Sequence, residues 1–381
     1  MGIGNDKNNN NKNTNTDESF SKIVRKINSS SFIITTMNSF AQIVDFSSYF
    51  LRSNLPMDDK KISGDFKNYI ENLNDKSDEI FIPKDYMIRL NKIFPIFSLK
   101  EELDPYIYYK SILEKLNDEL NVENSEINGE NSEINEYFNN ILRQYKENTE
   151  IKEFLKKFIK KNNSIISKTF YGIMKETESC NFCCGNEKTD YHEFNIIDIN
   201  VNDFCNSKHL EGDSLSNFYL DDCIEYFFEE KNLELDCEKC QQKRKKRIER
   251  KIIELPNYLV IRINWGKFIN NKGFSCQLDY IEPSYEYLEI DEIIEIKNDY
   301  CAHDSCNDNN KIPEPINYQL LSTIDYFIND NKKLEFISKY RIKKEGKSDR
   351  WYNFWCNGKG KEKGTYIDHF TTPCLLFYKK I

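Results

Sequence analysis

The sequence predicts an α+β protein, and three observations carry that prediction. Apolar residues in the first half recur at helical spacing. Beyond about residue 166 the pattern changes to short runs of β-branched and aromatic residues. The 381 residues are 39% hydrophobic and 14% aromatic, enough to bury a large core. Helices first and strands afterwards is the order of an α+β chain.

Residues 1–17 are rich in Asn, polar and without period, and predict a disordered tail. Helical spacing follows over 20–51, through Phe40, Ile43, Val44, Phe46, Phe50 and Leu51. It returns over 106–120, where Tyr106, Tyr109, Ile112, Leu113, Leu116 and Leu120 fall on one face. The tandem heptads ENSEING and ENSEINE (123–136) are acidic and polar, and two copies are too few for a repeat architecture. They predict a surface loop or insertion. Residues 137–160 resume the helical period with Phe138, Ile141, Leu142, Phe154 and Phe158.

The strand-like stretches are 194–201, 251–255, 259–263, 318–324, 335–342 and 374–378. Between them lie charged and Asn-rich segments, of which 301–314 (CAHDSCNDNNKIPE) reads as a surface insertion. The run KRKKRIERK (243–251) is open to two readings, a nucleic-acid or nuclear-localisation patch and a solvated strand. The solvated strand is preferred.

Net charge is −9 and the basic residues are dispersed, which argues against a nucleic-acid-binding protein. No apolar run approaches the ~20 residues of a membrane span. The polar N-terminus lacks a signal-peptide core. Met1-Gly2 suggests myristoylation, but Asp6 stands where Ser or Thr is needed. A cytoplasmic or nuclear location is expected, with no membrane partner.

Twelve cysteines are present and none precedes Cys180. In a reducing compartment clustered cysteines bind metal more often than they form disulfides. Cys180-Asn-Phe-Cys183 and Cys237-Glu-Lys-Cys240 are two CxxC turns. Each sets two thiolates on one side of a tight loop, and two loops complete a tetrahedron. The expected ligand set for a structural Zn2+ is therefore Cys180, Cys183, Cys237 and Cys240. Cys184 offers an alternative thiol beside Cys183, which keeps the CxxC spacing.

Several segments in order resemble the ubiquitin-specific protease family. Phe170-Tyr-Gly172 before Cys180 is similar to the family's entry into its fingers. Residues 215–235 resemble its helix before the second CxxC, and 253–263 its "L-P-x-x-L" strand. Trp265-Gly-Lys-Phe268 stands near its Lys-Arg-Phe. Trp351-Tyr-Asn-Phe354 resembles its W-Y-x-F-D-D box, and Leu375-Leu-Phe-Tyr378 its closing strand. In the first half, Thr35-Thr-Met-Asn-Ser-Phe-Ala-Gln42 resembles C-Y-M-N-S-x-x-Q, and Asp104 can be laid on Q-Q-D-x-H-E-F-L. The resemblance implies a papain-like cysteine peptidase fold with thumb (about 18–165), zinc-bearing fingers (about 166–250) and palm (about 251–381).

It also implies a site that has lost its chemistry. A cysteine protease needs a thiolate, an imidazole to activate it, a group to orient that imidazole, and oxyanion donors. The nucleophile position is Thr35, an internal hydroxyl, and no cysteine precedes it to take over. The imidazole position is Phe336. The orienting pair aligns with Trp355-Cys356, and the oxyanion donor with Ser30. His192, His209, His303 and His369 lie elsewhere in the sequence. Cys356 is read as an inert thiol. The chain is therefore expected to bind ubiquitin, a ubiquitin-like protein or another protein partner as scaffold or adaptor, without hydrolysis. The alternative is an active ubiquitin C-terminal hydrolase with a rearranged site.

Overall fold

The computed structural model describes residues 23–75, 79–121, 132–146, 148–180, 182, 187–208, 218–237, 239–265, 288–289, 292–301, 315–329, 331, 333–342, 350–356, 361–364 and 372–381. The expected tail, the first heptad, residues 266–268 and residues 302–314 of the expected insertion lie outside these residues.

Helices come first. They are α1 (Ser31–Gln42), α2 (Val44–Arg52), α3 (Ser63–Asn74), α4 (Lys84–Ile93), α5 (Pro105–Leu120), α6 (Ser132–Gln144), α7 (Thr149–Asn162) and α8 (Ile165–Phe170). Their starts follow from local chemistry. Asp104 caps α5 by accepting the Tyr106 N–H at 2.9 Å, with Pro105 at the first helical position. Asn148 caps α7 through the Ile151 N–H at 3.1 Å, and Ser164 caps α8. Two helices are capped from a distance instead. Glu119 accepts the N–H groups of Ile62 and Ser63 at the head of α3, and Glu102 does the same for α1.

The helical region differs from expectation in three ways. The 20–51 stretch breaks at Ile43, whose extended backbone (φ −81°, ψ 93°) separates α1 from α2. The 137–160 stretch divides into α6 and α7 around Asn148. The second heptad is not a loop: Ser132–Glu136 open α6, and Ile134 is buried. One buried isoleucine in a polar repeat is too weak a signal for a helical period.

Two sheets follow. Strands β1 (Gly172–Cys180), β2 (Glu187–Phe194), β5 (Lys231–Cys237) and β6 (Gln242–Glu254) form the first, antiparallel, in the order β2-β1-β6-β5. At its root, a Cβ on Gly172 would lie 2.7 Å from the Glu254 carbonyl and against the Phe194 ring, so only glycine fits there. The basic run lies on β6 among acidic neighbours. Lys246 pairs with Glu178 and Arg250 with Glu176, both at 2.8 Å, and Arg247 pairs with Glu230. Lys243 and Lys245 face Asp236 and Glu234 across the ladder. Cross-strand neutralisation of this kind supports the solvated-strand reading.

The larger sheet is built from β3 (Ile197–Asn200), β7 (Tyr258–Asn264), β9 (Ile293–Ile296), β10 (Ile316–Ile328), β11 (Leu334–Ile342), β12 (Arg350–Trp355), β13 (Lys361–Gly364) and β14 (Thr372–Lys380). Its order is β13-β12-β11-β10-β14-β7-β3, with β9 pairing to β10 off that path. β3, from within the expected finger segment, pairs parallel with β7, and the other ladders are antiparallel. Helix α9 (Val201–Ser207) follows β3. A short pair, β4 (Phe218–Tyr219) and β8 (Leu288–Glu289), flanks α10 (Leu220–Phe228).

β14 and β7 are apolar on both faces because both are covered. Leu375, Phe377, Tyr258 and Val260 join the helical core, while Leu376, Tyr378, Leu259 and Ile261 face a second core with Trp351 and α10. α1 lies across β11 and β10, which fixes where the sheet meets the head of that helix.

Candidate functional site

α1 begins at Ser31, four residues before Thr35. The residues of its first turn, Ser31 to Ile34, are all fully buried. Burial of each large side chain in that turn contributes roughly 1.5–3 kcal/mol, so the turn is held firmly. Thr35 therefore lies inside the helix, fully buried. Its Oγ1 donates to the Ser31 carbonyl at 2.8 Å. The hydroxyl proton is held by the helix backbone.

The head of α1 is filled by a carboxylate. Glu102 accepts the N–H groups of Ser31 and Phe32, each at 3.2 Å. Free amides and the positive end of a helix dipole make such a terminus an anion site, and here the anion is the chain's own. Lys26 Nζ lies 2.9 Å from Glu102 and 3.1 Å from Glu335. Burial alone lowers the lysine's pKa, but the two carboxylates outweigh it and the net shift is upward. Ser30, fully buried, turns its Oγ back to accept the Ile27 N–H at 3.1 Å.

The sheet closes this end. The backbone N–H of Phe336 on β11 donates to Ser31 Oγ at 3.1 Å, and the Phe336 ring sits in the helical core. Trp355 pairs opposite Ile337 on β12 and sets its ring edge against Phe327, with centroids 4.8 Å apart. Side chains alternate along a strand, so Phe336 and Trp355 point to opposite faces. Cys356, the residue that follows β12, packs against the helical core that also holds Phe336. The Cys356 thiol is part-buried. Burial pushes its pKa up, Glu102 and Glu335 add to that, and Lys26 opposes it.

The structure thus brings Ser30, Ser31, Phe336 and Cys356 to one end of α1, and leaves Thr35 inside the helix and Trp355 on the other face. No sequence spacing joins Lys26, Glu102 and Glu335, which lie far apart along the chain. Among the described residues His192 is the histidine present, and it lies on β2 in the finger sheet. His209, His303 and His369 are outside the described residues.

The expected metal ligands fare differently. The sulfurs of Cys180, Cys237 and Cys240 all lie within 4.8 Å of one another, Cys180 and Cys240 at 4.0 Å. Zn–S bonds of ~2.3 Å require sulfurs about 3.8 Å apart, so the trio fits three corners of a tetrahedron. Gln241, at φ 52°, donates its N–H to the Cys237 carbonyl at 2.7 Å and closes the second turn. Cys183 and Cys184 lie outside the described residues. A bound Zn2+ would join the ends of β1, β5 and β6, a structural role.

The sequence model of the ubiquitin carboxyl-terminal hydrolase family matches residues 88–354. The chain belongs to that family. The structure is similar to the SAGA DUB module of Ubp8, Sgf11, Sus1 and Sgf73 bound to ubiquitin aldehyde, with a TM-score of 0.63 at 15% identity over 95% of this chain and 69% of that one. It is also similar to a Ubp8 variant in the same module bound to monoubiquitin, with a TM-score of 0.60 at 16% identity and the same coverage. No curated protein matches the chain in sequence. The fold of this family member is the papain-like one, with helical thumb, palm sheet and a finger sheet that carries the cysteine cluster. No described helix is long and apolar enough to cross a membrane.

Proposed function

We propose that this member of the ubiquitin carboxyl-terminal hydrolase family is a pseudo-deubiquitinase. It binds ubiquitin, a ubiquitin-like protein or another protein partner through fingers and palm, as a scaffold or adaptor, in the cytoplasm or nucleus. The observation that carries this reading is the head of α1, where Glu102 holds the amides of Ser31 and Phe32 and Phe336 faces them. With the Glu102 carboxylate bound there, those amides have no free N–H to offer a developing oxyanion. Thr35, Phe336 and Trp355 stand where the family resemblance calls for nucleophile, base and orienting acid. Structural Zn2+ held by Cys180, Cys183, Cys237 and Cys240 braces the fingers, and the thumb, fingers and palm take the spans 18–165, 166–250 and 251–381 approximately. The similar Ubp8 modules carry ubiquitin together with Sgf11, Sus1 and Sgf73, which supports a protein-binding role for the fold.

The test pairs two measurements on the purified chain. Titration with labelled ubiquitin should show saturable binding, and a ubiquitin C-terminal fluorogenic substrate should show no turnover above buffer. Turnover abolished by Thr35→Ala would refute the reading. A second reading, an active hydrolase with a rearranged site, draws on Cys356 lying near Glu102, Lys26 and Glu335. It requires turnover that Cys356→Ser abolishes.

A further inference from the structure

Helix α7 has two unlike faces. Ile151, Leu155 and Phe158 are buried in the helical core. On the other side Lys152, Lys156 and Lys160 follow one another at four-residue intervals, with Lys157 beside them. Lys156, Lys157 and Lys160 are exposed, and Lys152 is half-buried. At 1.5 Å of rise per residue the row runs about 12 Å along the surface, with a lysine every ~6 Å.

This row sets like charges against one another. Lys152 and Lys156, and Lys156 and Lys160, stand four residues apart, and each such pair destabilises a helix. The helix dipole favours cations in the last turn, which accounts for Lys160 but not for Lys152, Lys156 or Lys157. One carboxylate stands among them. Glu153 meets Lys156 at 2.7 Å. Lys156 above all, with Lys157 and Lys152 adding and desolvation opposing, holds the Glu153 carboxyl below its usual value. Glu150 lies at the head of the helix, about two turns from Lys157. Lys161 turns the other way, to Glu193 at 3.5 Å. Among the described residues Lys152, Lys157 and Lys160 have no ion-pair partner. The chain as a whole carries −9, so this positive excess is local.

The face also selects among anions. α7 exposes no large apolar side chain, so it has nothing to insert into a lipid surface. It exposes no aromatic ring on which a nucleic-acid base could stack. A long polyanion would also meet the negative remainder of the chain. A helix with Asp or Glu at every fourth residue repeats the ~6 Å interval of the lysines.

We propose that this face of α7 docks an acidic helix of a partner polypeptide, its carboxylates laid along Lys152, Lys156 and Lys160 with Lys157 at the side. Each contact is a surface ion pair and weak alone, so the row acts as a set and loses its hold as salt rises. The surface is independent of the α1 head and of whether the chain binds ubiquitin.

The probe is a fluorescein-labelled, alanine-rich helical peptide of about 20 residues, capped at both ends, with four glutamates at four-residue spacing. Titrated with the full chain at low ionic strength, its anisotropy should rise and saturate, and the affinity should fall steeply as salt is added. The same residues rearranged so that the glutamates no longer share a face should bind at least roughly 10-fold more weakly. The variant Lys152→Gln/Lys156→Gln/Lys160→Gln should weaken binding by a similar factor, and should unfold no earlier than the parent on heating, because its like-charge pairs are gone. The control Lys60→Gln/Lys61→Gln/Lys84→Gln makes the same change of charge at three exposed positions elsewhere on the thumb. It should stay within about two-fold of the parent, since those charges lie away from the row. Absence of saturable binding overturns the proposal. So does equal affinity for the rearranged peptide, or an equal loss in the two triple variants. Tighter binding of an oligo-dT strand of equal charge also overturns it, in favour of nucleic acid.

Discussion

The Glu102 carboxylate accepts the backbone N–H of Ser31 at 3.2 Å, closing the head of α1 from a position 71 residues along the chain. The same carboxylate takes the Phe32 N–H and holds Lys26. One side chain therefore caps a helix and anchors a half-buried lysine.

Glu102→Ala should cost about 2–3 kcal/mol, because it strands two buried amides and removes a partner of Lys26. Urea unfolding would show a lower midpoint with an unchanged slope. No hydrolysis of a ubiquitin fluorogenic substrate should appear. A stability change below ~0.5 kcal/mol would mean the carboxylate is a surface decoration.

Thr35→Cys should not create a reactive thiol. Position 35 is fully buried and its side chain faces the helix backbone. In the folded chain, alkylation of the peptide carrying residue 35, read by mass spectrometry, should be slower by ~100-fold or more than in urea. Rapid labelling without urea would place residue 35 at an open cleft.

Cys240→Ser should remove one equivalent of bound zinc and loosen the finger sheet. Hydrogen exchange should speed up in β1, β5 and β6, whose ends the cysteines join, while α1 and α5 keep their protection. A strong chelator should have the same effect. Equal zinc content in variant and parent would remove Cys240 from the ligand set.

Glu254 gives the chain a pH dependence of defined sign. Burial raises its carboxyl from 4.5 to about 7, with Lys380 opposing. Between those values the folded chain binds more protons than the unfolded one, so this group lowers stability as pH rises from about 4.5 through 7. The full effect is ~3 kcal/mol for a shift of this size. Glu254→Gln should therefore gain on the parent between about pH 5 and pH 8 in urea unfolding. A constant difference between the two proteins across that range would show that Glu254 does not titrate there.

Local spacing decides what could be read without coordinates. Two CxxC turns announce a thiolate cluster because three-residue separations set chain geometry, and Cys180, Cys237 and Cys240 do meet. Helical period over 106–120 and apolar runs at 259–263 and 374–378 mark α5, β7 and β14 for the same reason. Helices α3 and α4 carry the same period (Phe66, Tyr69, Ile70; Tyr86, Met87, Leu90) over shorter spans than α5, which makes their signal weaker.

Residue order was enough to establish that no cysteine precedes Cys180, and hence that position 35 offers only a hydroxyl. Folding added what order could not. It buries that hydroxyl one turn inside α1, fills the helix head with Glu102, and pairs Trp355 with Ile337 instead of Phe336. The reason is range. Residue identity and short spacing are properties of the chain, whereas where a helix starts and which strand residues oppose each other depend on partners 71 and more residues away.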